Sequence, residues 1–164
     1  MSGCRLEVVR ALALCACAAA LPAIAHADTD ACTLLTQAEV GAAVGVPVVA
    51  GSHVTPTYVK TCTWNPAAGN AAVKSVTLFL QTAAAYDSGK KQITAARLAA
   101  GANGTSIKAA AVGDDGYYFV TGDQVGLLVK KGTLSFKVTV YATLPVDKKE
   151  AMELSLAKAV VAKL

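Results

Sequence analysis

Histidine and, after the N-terminal stretch, long apolar runs are scarce in this chain, and each shortage excludes a class of function. Only two histidines occur, His26 and His53, and His26 falls in an N-terminal stretch that reads as a cleaved leader. A Ser-His-Asp or Cys-His arrangement would have to use His53, yet no serine sits in a Gly-x-Ser-x-Gly elbow. His53 reads instead as an exposed loop histidine. One histidine and a cysteine pair bonded to each other cannot supply the three or four ligands of a zinc site. Neither a phosphate-binding loop nor a dinucleotide fingerprint is present. No catalytic residue, metal or cofactor is therefore expected. After residue 28 no apolar stretch reaches the roughly 20 residues that span a bilayer. Charged residues are only 16% of the chain and the positive ones are scattered, which argues against nucleic acid as a partner.

The N-terminus supplies what export needs. Arg5 and Arg10 precede an Ala/Leu-rich run over residues 11–24, and Ala25-His26-Ala27 puts small residues at the −3 and −1 positions of a cleavage site. A signal peptide over residues 1–27 is expected, leaving residues 28–164 as one periplasmic or secreted domain. A competing reading makes Cys17 the lipid-bearing cysteine of a lipoprotein: Leu14 stands at −3 and Ala16 at −1, but Cys15 at −2 is atypical. Cleavage after Ala27 removes Arg5, Arg10 and Glu7, so the net charge falls from +4 to +3. It also leaves Cys32 and Cys62 as the only thiols, and in an oxidising compartment such a pair is expected as one disulfide. Closing a loop of about 30 residues is worth roughly 3–4 kcal/mol in the chain-entropy account. No Cys-x-x-Cys motif and no neighbouring activating group accompany the pair in sequence, which points to a staple rather than a redox catalyst.

The exported part opens with a well-specified helix. Thr36 and Glu39 form a capping box, Leu35 and Val40 a hydrophobic staple, and Gly45 is placed to end the helix in the left-handed conformation. Two short extended segments follow within 46–63, the second ending in Thr61-Cys62-Thr63-Trp64, where Cys62 and Trp64 share a face. After a turn at 65–70, residues 75–81 alternate with Val76, Leu78 and Leu80 inward and Phe79 outward. Residues 83–100 read as a helix ended by Gly101-Ala102-Asn103-Gly104, and 105–115 as a mobile connection. Segments 117–121, 125–130 and 134–142 then read as a three-stranded meander. Beyond Pro145, Asp147 and Glu150 form a second capping box. The terminal helix would turn a broad stripe to the core, Leu154, Ala157, Val161 and Leu164 flanked by Met152, Leu156 and Val160, and leave Lys148, Lys149, Glu153, Lys158 and Lys163 to solvent. The expected fold is α+β: five to six antiparallel strands with helices on one side, in the order α-β-β-β-α-β-β-β-α.

Few residues remain that carry chemistry. Asp114, Asp115 and Asp123 are the one carboxylate cluster, without the spacing of a calcium loop. Lys130, Lys131, Lys148 and Lys149 form either a small basic patch or solvated surface. Phe79, Tyr117, Phe119 and Tyr141 are the candidate contact surface, either open to a partner or covered by the helices.

The motif Cys32-Thr33-Leu34-Leu35-Thr36-Gln37-Ala38-Glu39-Val40, with Cys62-Thr63-Trp64 and Val112-Gly113-Asp114-Asp115-Gly116-Tyr117, resembles a group of exported bacterial domains of unknown function common among actinobacterial lipoproteins. The resemblance implies a small α/β sandwich broadly like the PsbP-type fold, with a Cys32–Cys62 disulfide and no catalytic residues. The expected function is a non-catalytic binding or interaction module for an envelope protein or a small apolar ligand. The alternatives are an inhibitor of an exported enzyme, acting through 65–72 or 101–115, and a small envelope enzyme using carboxylates or Tyr/Lys in a cleft.

Overall fold

Local chemistry sets the first elements. The computed structural model describes residues 29–68, 72–100 and 105–164; the expected signal peptide, Cys17 and the turn at 101–104 lie outside them. Asp30 caps a single helical turn, α1 (Ala31–Leu34), by accepting the Cys32 N–H at 2.7 Å. Thr36 then opens α2 (Gln37–Val44) with the full capping box: its hydroxyl accepts the Glu39 N–H, and Glu39 accepts the Thr36 N–H at 2.7 Å. Gly45 ends α2 at φ +71°, the left-handed conformation that glycine adopts without a Cβ clash. The Glu39 carboxyl is pulled down to about 2, first by the Lys163 ammonium at 2.7 Å and then by Thr36.

Seven strands make one antiparallel sheet: β1 (Ser52–His53), β2 (Thr61–Trp64), β3 (Val73–Thr82), β4 (Thr105–Ala109), β5 (Asp115–Thr121), β6 (Gln124–Lys131) and β7 (Leu134–Ala142). Two further helices complete the described chain, α3 (Ala83–Ala100) and α4 (Val146–Val161). The strand order is β1-β2-β3-β7-β6-β5-β4. It is therefore two meanders, β1 to β3 and β4 to β7, joined along β3 and β7 with α3 as the link. The expected five to six strands become seven because residues 105–109 pair with β5, from Thr105 opposite Thr121 to Ala109 opposite Tyr117. An edge strand has one partner and little buried surface, so β4 needs no hydrophobic alternation and reads as a connection.

The helices lie on both faces rather than one. Neighbouring residues in a strand point to opposite faces, and the Tyr118 hydroxyl donates to the Glu150 carbonyl of α4 while Tyr117 packs on Tyr86 of α3. On the α4 face, Val76, Leu78, Leu80, Leu127, Val129, Phe136, Val138 and Val140 meet Leu34, Leu35, Val40, Val44, Leu156, Ala157 and Val160. Each fully buried side chain of this size contributes about 1.5–3 kcal/mol, and this face holds most of the core.

α4 buries Leu156, Ala157 and Val160 of its expected stripe but is rotated so that polar residues enter as well. Its buried positions are Lys149, Glu153, Leu156, Ala157 and Val160, so two of the five residues expected in solvent are inside. The expected second capping box is also absent: Pro145 precedes the helix with no side-chain cap, and Glu150 instead pairs with Lys108 at 2.5 Å. The sheet dictates the rotation, because its polar backbone needs partners there. The Lys149 ammonium donates to the carbonyls of Asp123 and Ala142. Glu153 accepts the Val140 N–H at 2.9 Å, while its second oxygen is buried without a partner.

Burial pushes the Glu153 carboxyl up to about 8 from its ordinary 4.5, against the pull of the Val140 N–H and nearby lysines. The folded protein thus holds a proton that the unfolded chain gives up above about pH 4.5. Stability attached to Glu153 is fully present below that pH, falls as pH rises, and is lost above about pH 8. Glu153→Gln keeps an acceptor for Val140 and cannot ionise. Urea unfolding at pH 5, 6.5 and 8 should show the variant losing less stability across the series than the wild type, by a few kcal/mol. Parallel curves for the two proteins would show that Glu153 ionises freely in the folded state.

Candidate functional site

Phe79, Tyr117, Phe119 and Tyr141 share the α3 face of the sheet, because the register runs Thr61–Phe79–Lys137–Leu128–Tyr117 across the strands. The structure separates them by cover. Tyr117 is 1% exposed and belongs to the packing of α3 on the sheet, not to an open surface. Phe79 and Phe119 are partly exposed, and Tyr141 is 42% exposed. Away from α3 this face is rich in hydroxyls: Thr63, Thr77 and Thr139 share a row, and Ser75 lies opposite Tyr141. Gly126 lies on the same face, where a Cβ would meet the Lys137 stem at 2.7 Å. The missing side chain lets that lysine lie across the sheet.

α3 is held by two tyrosines inside a ring of charges. Tyr86 and Tyr117 pack with ring centroids 5.3 Å apart. The Lys90 ammonium lies within 6 Å of both rings, and Lys130 stands over Tyr86. Lys90 pairs with Asp115 at 2.6 Å and Lys130 with Asp87 at 2.8 Å. Lys90 holds the Asp115 carboxyl below its usual range, whereas burial raises both tyrosine hydroxyls. Both hydroxyls are buried; that of Tyr117 has no hydrogen-bond partner, and that of Tyr86 lies beside the Asp115 carboxylate.

The three aspartates do not converge. Asp114 ties down the β6–β7 hairpin, accepting from the Gly132 N–H at 2.7 Å and the Lys131 ammonium at 2.9 Å, and both contacts lower its pKa. Asp115 serves α3, and Asp123 contributes its carbonyl to Lys149. The four lysines likewise make no common patch. Lys130 and Lys131 are paired with carboxylates, Lys148 is exposed on α4, and Lys149 is 2% exposed on the buried side of the same helix.

His53 departs furthest from expectation. It lies in β1 directly opposite Cys62, partly buried, with Nε2 2.8 Å from Asp30 Oδ1. Asp30 therefore has two duties, capping α1 and holding the histidine; its carboxyl lies below the usual range, chiefly because of the His53 hydrogen bond. The Cys32–Cys62 disulfide is formed beside them, and donor atoms of Asp30, Cys32 and His53 lie within 4.8 Å of one another. With its sulfur in a disulfide, Cys32 offers no thiolate, so the trio is not a zinc ligand set. Asp30 has a local signal as a helix cap, but its meeting with His53 depends on the β1–β2 register.

No protein-family model, curated protein or solved structure matches the chain.

Tyr117 allows a clean test of the α3 layer. Its ring fills space against Tyr86 while its hydroxyl is buried unpaired, a condition that costs about 1–3 kcal/mol. Tyr117→Phe should raise the urea midpoint, by about 1 kcal/mol of stability. A drop of similar size would mean that the hydroxyl has a partner in solution.

Proposed function

We propose that this chain is an exported, non-catalytic binding or interaction module, akin to the lipoprotein-type domains its motifs resemble. Its contact surface is the open part of the α3 face around Tyr141, flanked by Phe79 and Phe119, and its partner is an envelope protein or a small apolar ligand. The supporting observation is the 42% exposure of Tyr141, which lies opposite Ser75 and next to the row of Thr63, Thr77 and Thr139. An aromatic ring with a polar tip, held by a strand, supplies contact area at low entropic cost. No helix among the described residues is long and apolar enough to cross a membrane.

The carboxylate-enzyme reading draws less support. Such chemistry needs converging carboxylates with raised pKa values, and the raised one, Glu153, is buried under α4 while Asp30, Asp114 and Asp115 are lowered. The inhibitor reading loses part of its second loop, because residues 105–109 form β4.

Affinity capture from an exported-protein extract tests the binding surface. Tyr141→Ala should reduce recovery of a specific partner about tenfold, as loss of an interface anchor does. Lys158→Ala, at an exposed position on α4, should leave recovery unchanged. Equal recovery with Tyr141→Ala would exclude this surface.

A further inference from the structure

The two sulfurs of the disulfide live in different surroundings. Cys62 is fully buried, and Gly51 lies against it so closely that a Cβ there would come within 2.6 Å of both Cys62 Sγ and Trp64 Nε1. Cys32 is partly exposed on α1. Of the two residues, Cys32 is therefore the one open towards a thiolate arriving from solvent, and Cys62 is shielded. Opening the bond at Cys32 would expel Cys62 as a thiolate into an apolar pocket, where the charged form is disfavoured. The departing sulfur needs a proton as it leaves. His53 stands beside the bond: a ring nitrogen is within 4.8 Å of Cys32 Sγ, and the residue is the cross-strand partner of Cys62 on the same face of the sheet. Asp30 holds that ring through Nε2 at 2.8 Å.

We propose that Cys32–Cys62 is a thiol-exchange site that opens in the folded protein, with Cys32 as the sulfur attacked and the His53–Asp30 pair as the proton carrier. The co-reactant is a dithiol. Its first thiol gives a proton to His53, and the thiolate attacks Cys32 Sγ. The Cys32–Cys62 bond breaks, its electron pair goes to Cys62, and the imidazolium protonates that sulfur. The second thiol of the co-reactant then attacks the mixed disulfide at the co-reactant's own sulfur. This closes the co-reactant's disulfide and releases Cys32, which takes the second proton. Two electrons and two protons pass to the protein, which is reduced as the dithiol is oxidised. The exchange is stoichiometric, and it unpins α1 from β2. It lies on the face opposite Tyr141 and does not depend on the binding surface.

The test is the reduction of the folded, oxidised protein by dithiothreitol, followed by rapid alkylation and mass measurement. The rate should rise linearly with dithiothreitol and exceed the rate of global unfolding measured in parallel. His53→Gln keeps a hydrogen bond to Asp30 but cannot take up and release a proton. It should slow reduction about tenfold with an unchanged Tm, a smaller effect than most positioned acids supply because a thiolate leaves without complete protonation. Asp30→Asn, which retains an acceptor for the Cys32 N–H, should slow it as well and serves if His53→Gln is unstable. With a monothiol in place of dithiothreitol, peptide mapping should find the added group on Cys32. A rate that plateaus at the unfolding rate, a His53→Gln rate equal to wild type, or a mixed disulfide on Cys62 would each overturn the proposal.

Discussion

The antiparallel pairing of β3 with β7 joins what would otherwise be two separate meanders. It runs from Val73 opposite Ala142 to Thr82 opposite Leu134, with one irregularity between Val73 and Ser75. Along it Val76, Leu78 and Leu80 meet Val140, Val138 and Phe136, so the centre of the sheet is also the centre of the apolar core. Strands so far apart in sequence pair only after a costly loop closure. α3 occupies that separation: it starts directly after β3, where the Ala83 N–H donates to the Thr133 carbonyl and the Ser135 hydroxyl to the Thr82 carbonyl, and it packs on the sheet through Tyr86 and Tyr117.

The two faces of this joint are stabilised by different physics. The α4 face is mostly aliphatic, yet it takes in Lys149 and Glu153, whose polar atoms satisfy backbone groups near the ends of β6 and β7. Those groups would otherwise be orphaned by the helix that covers them. The α3 face relies on two tyrosines and a ring of lysine–aspartate pairs that are substantially exposed. Exposed pairs contribute little on their own, so α3 depends mainly on Tyr86 and Tyr117. Leu98, near its far end, is 83% exposed, in keeping with a helix anchored at its beginning.

Elements with a local cause were legible in the sequence. Thr36, Glu39 and Gly45 mark α2 by their own hydrogen bonds and φ, and the alternation of Leu134 to Ala142 marks β7 from end to end. What escaped was decided between elements. Lys149 and Glu153 look like solvent residues until a sheet supplies carbonyls and an N–H for them to meet. β4 carries little hydrophobic signal because an edge strand buries little. Tyr117 and Tyr118 are equivalent in sequence, and only the register assigns one to α3 and the other to α4. The pairing of Asp30 with His53 joins residues 23 apart through a strand of only two residues, too short to announce itself by pattern.

That same shortness explains why the cysteines stand where they do. β1 and β2 supply two and four residues at the edge of the sheet, too little ladder to hold a layer of helices unaided. α1 is a single turn, which nucleation costs make unstable in isolation. The disulfide ties these two weak elements together, Trp64 packs beside it, and Gly51 closes over both. An edge, however, is also where solvent reaches. A cross-link that must brace the edge leaves one sulfur near the surface, and the cap of the short helix brings Asp30, with His53, alongside it. The features that make the disulfide necessary for this corner of the fold are therefore the ones that leave Cys32 within reach of a passing thiolate.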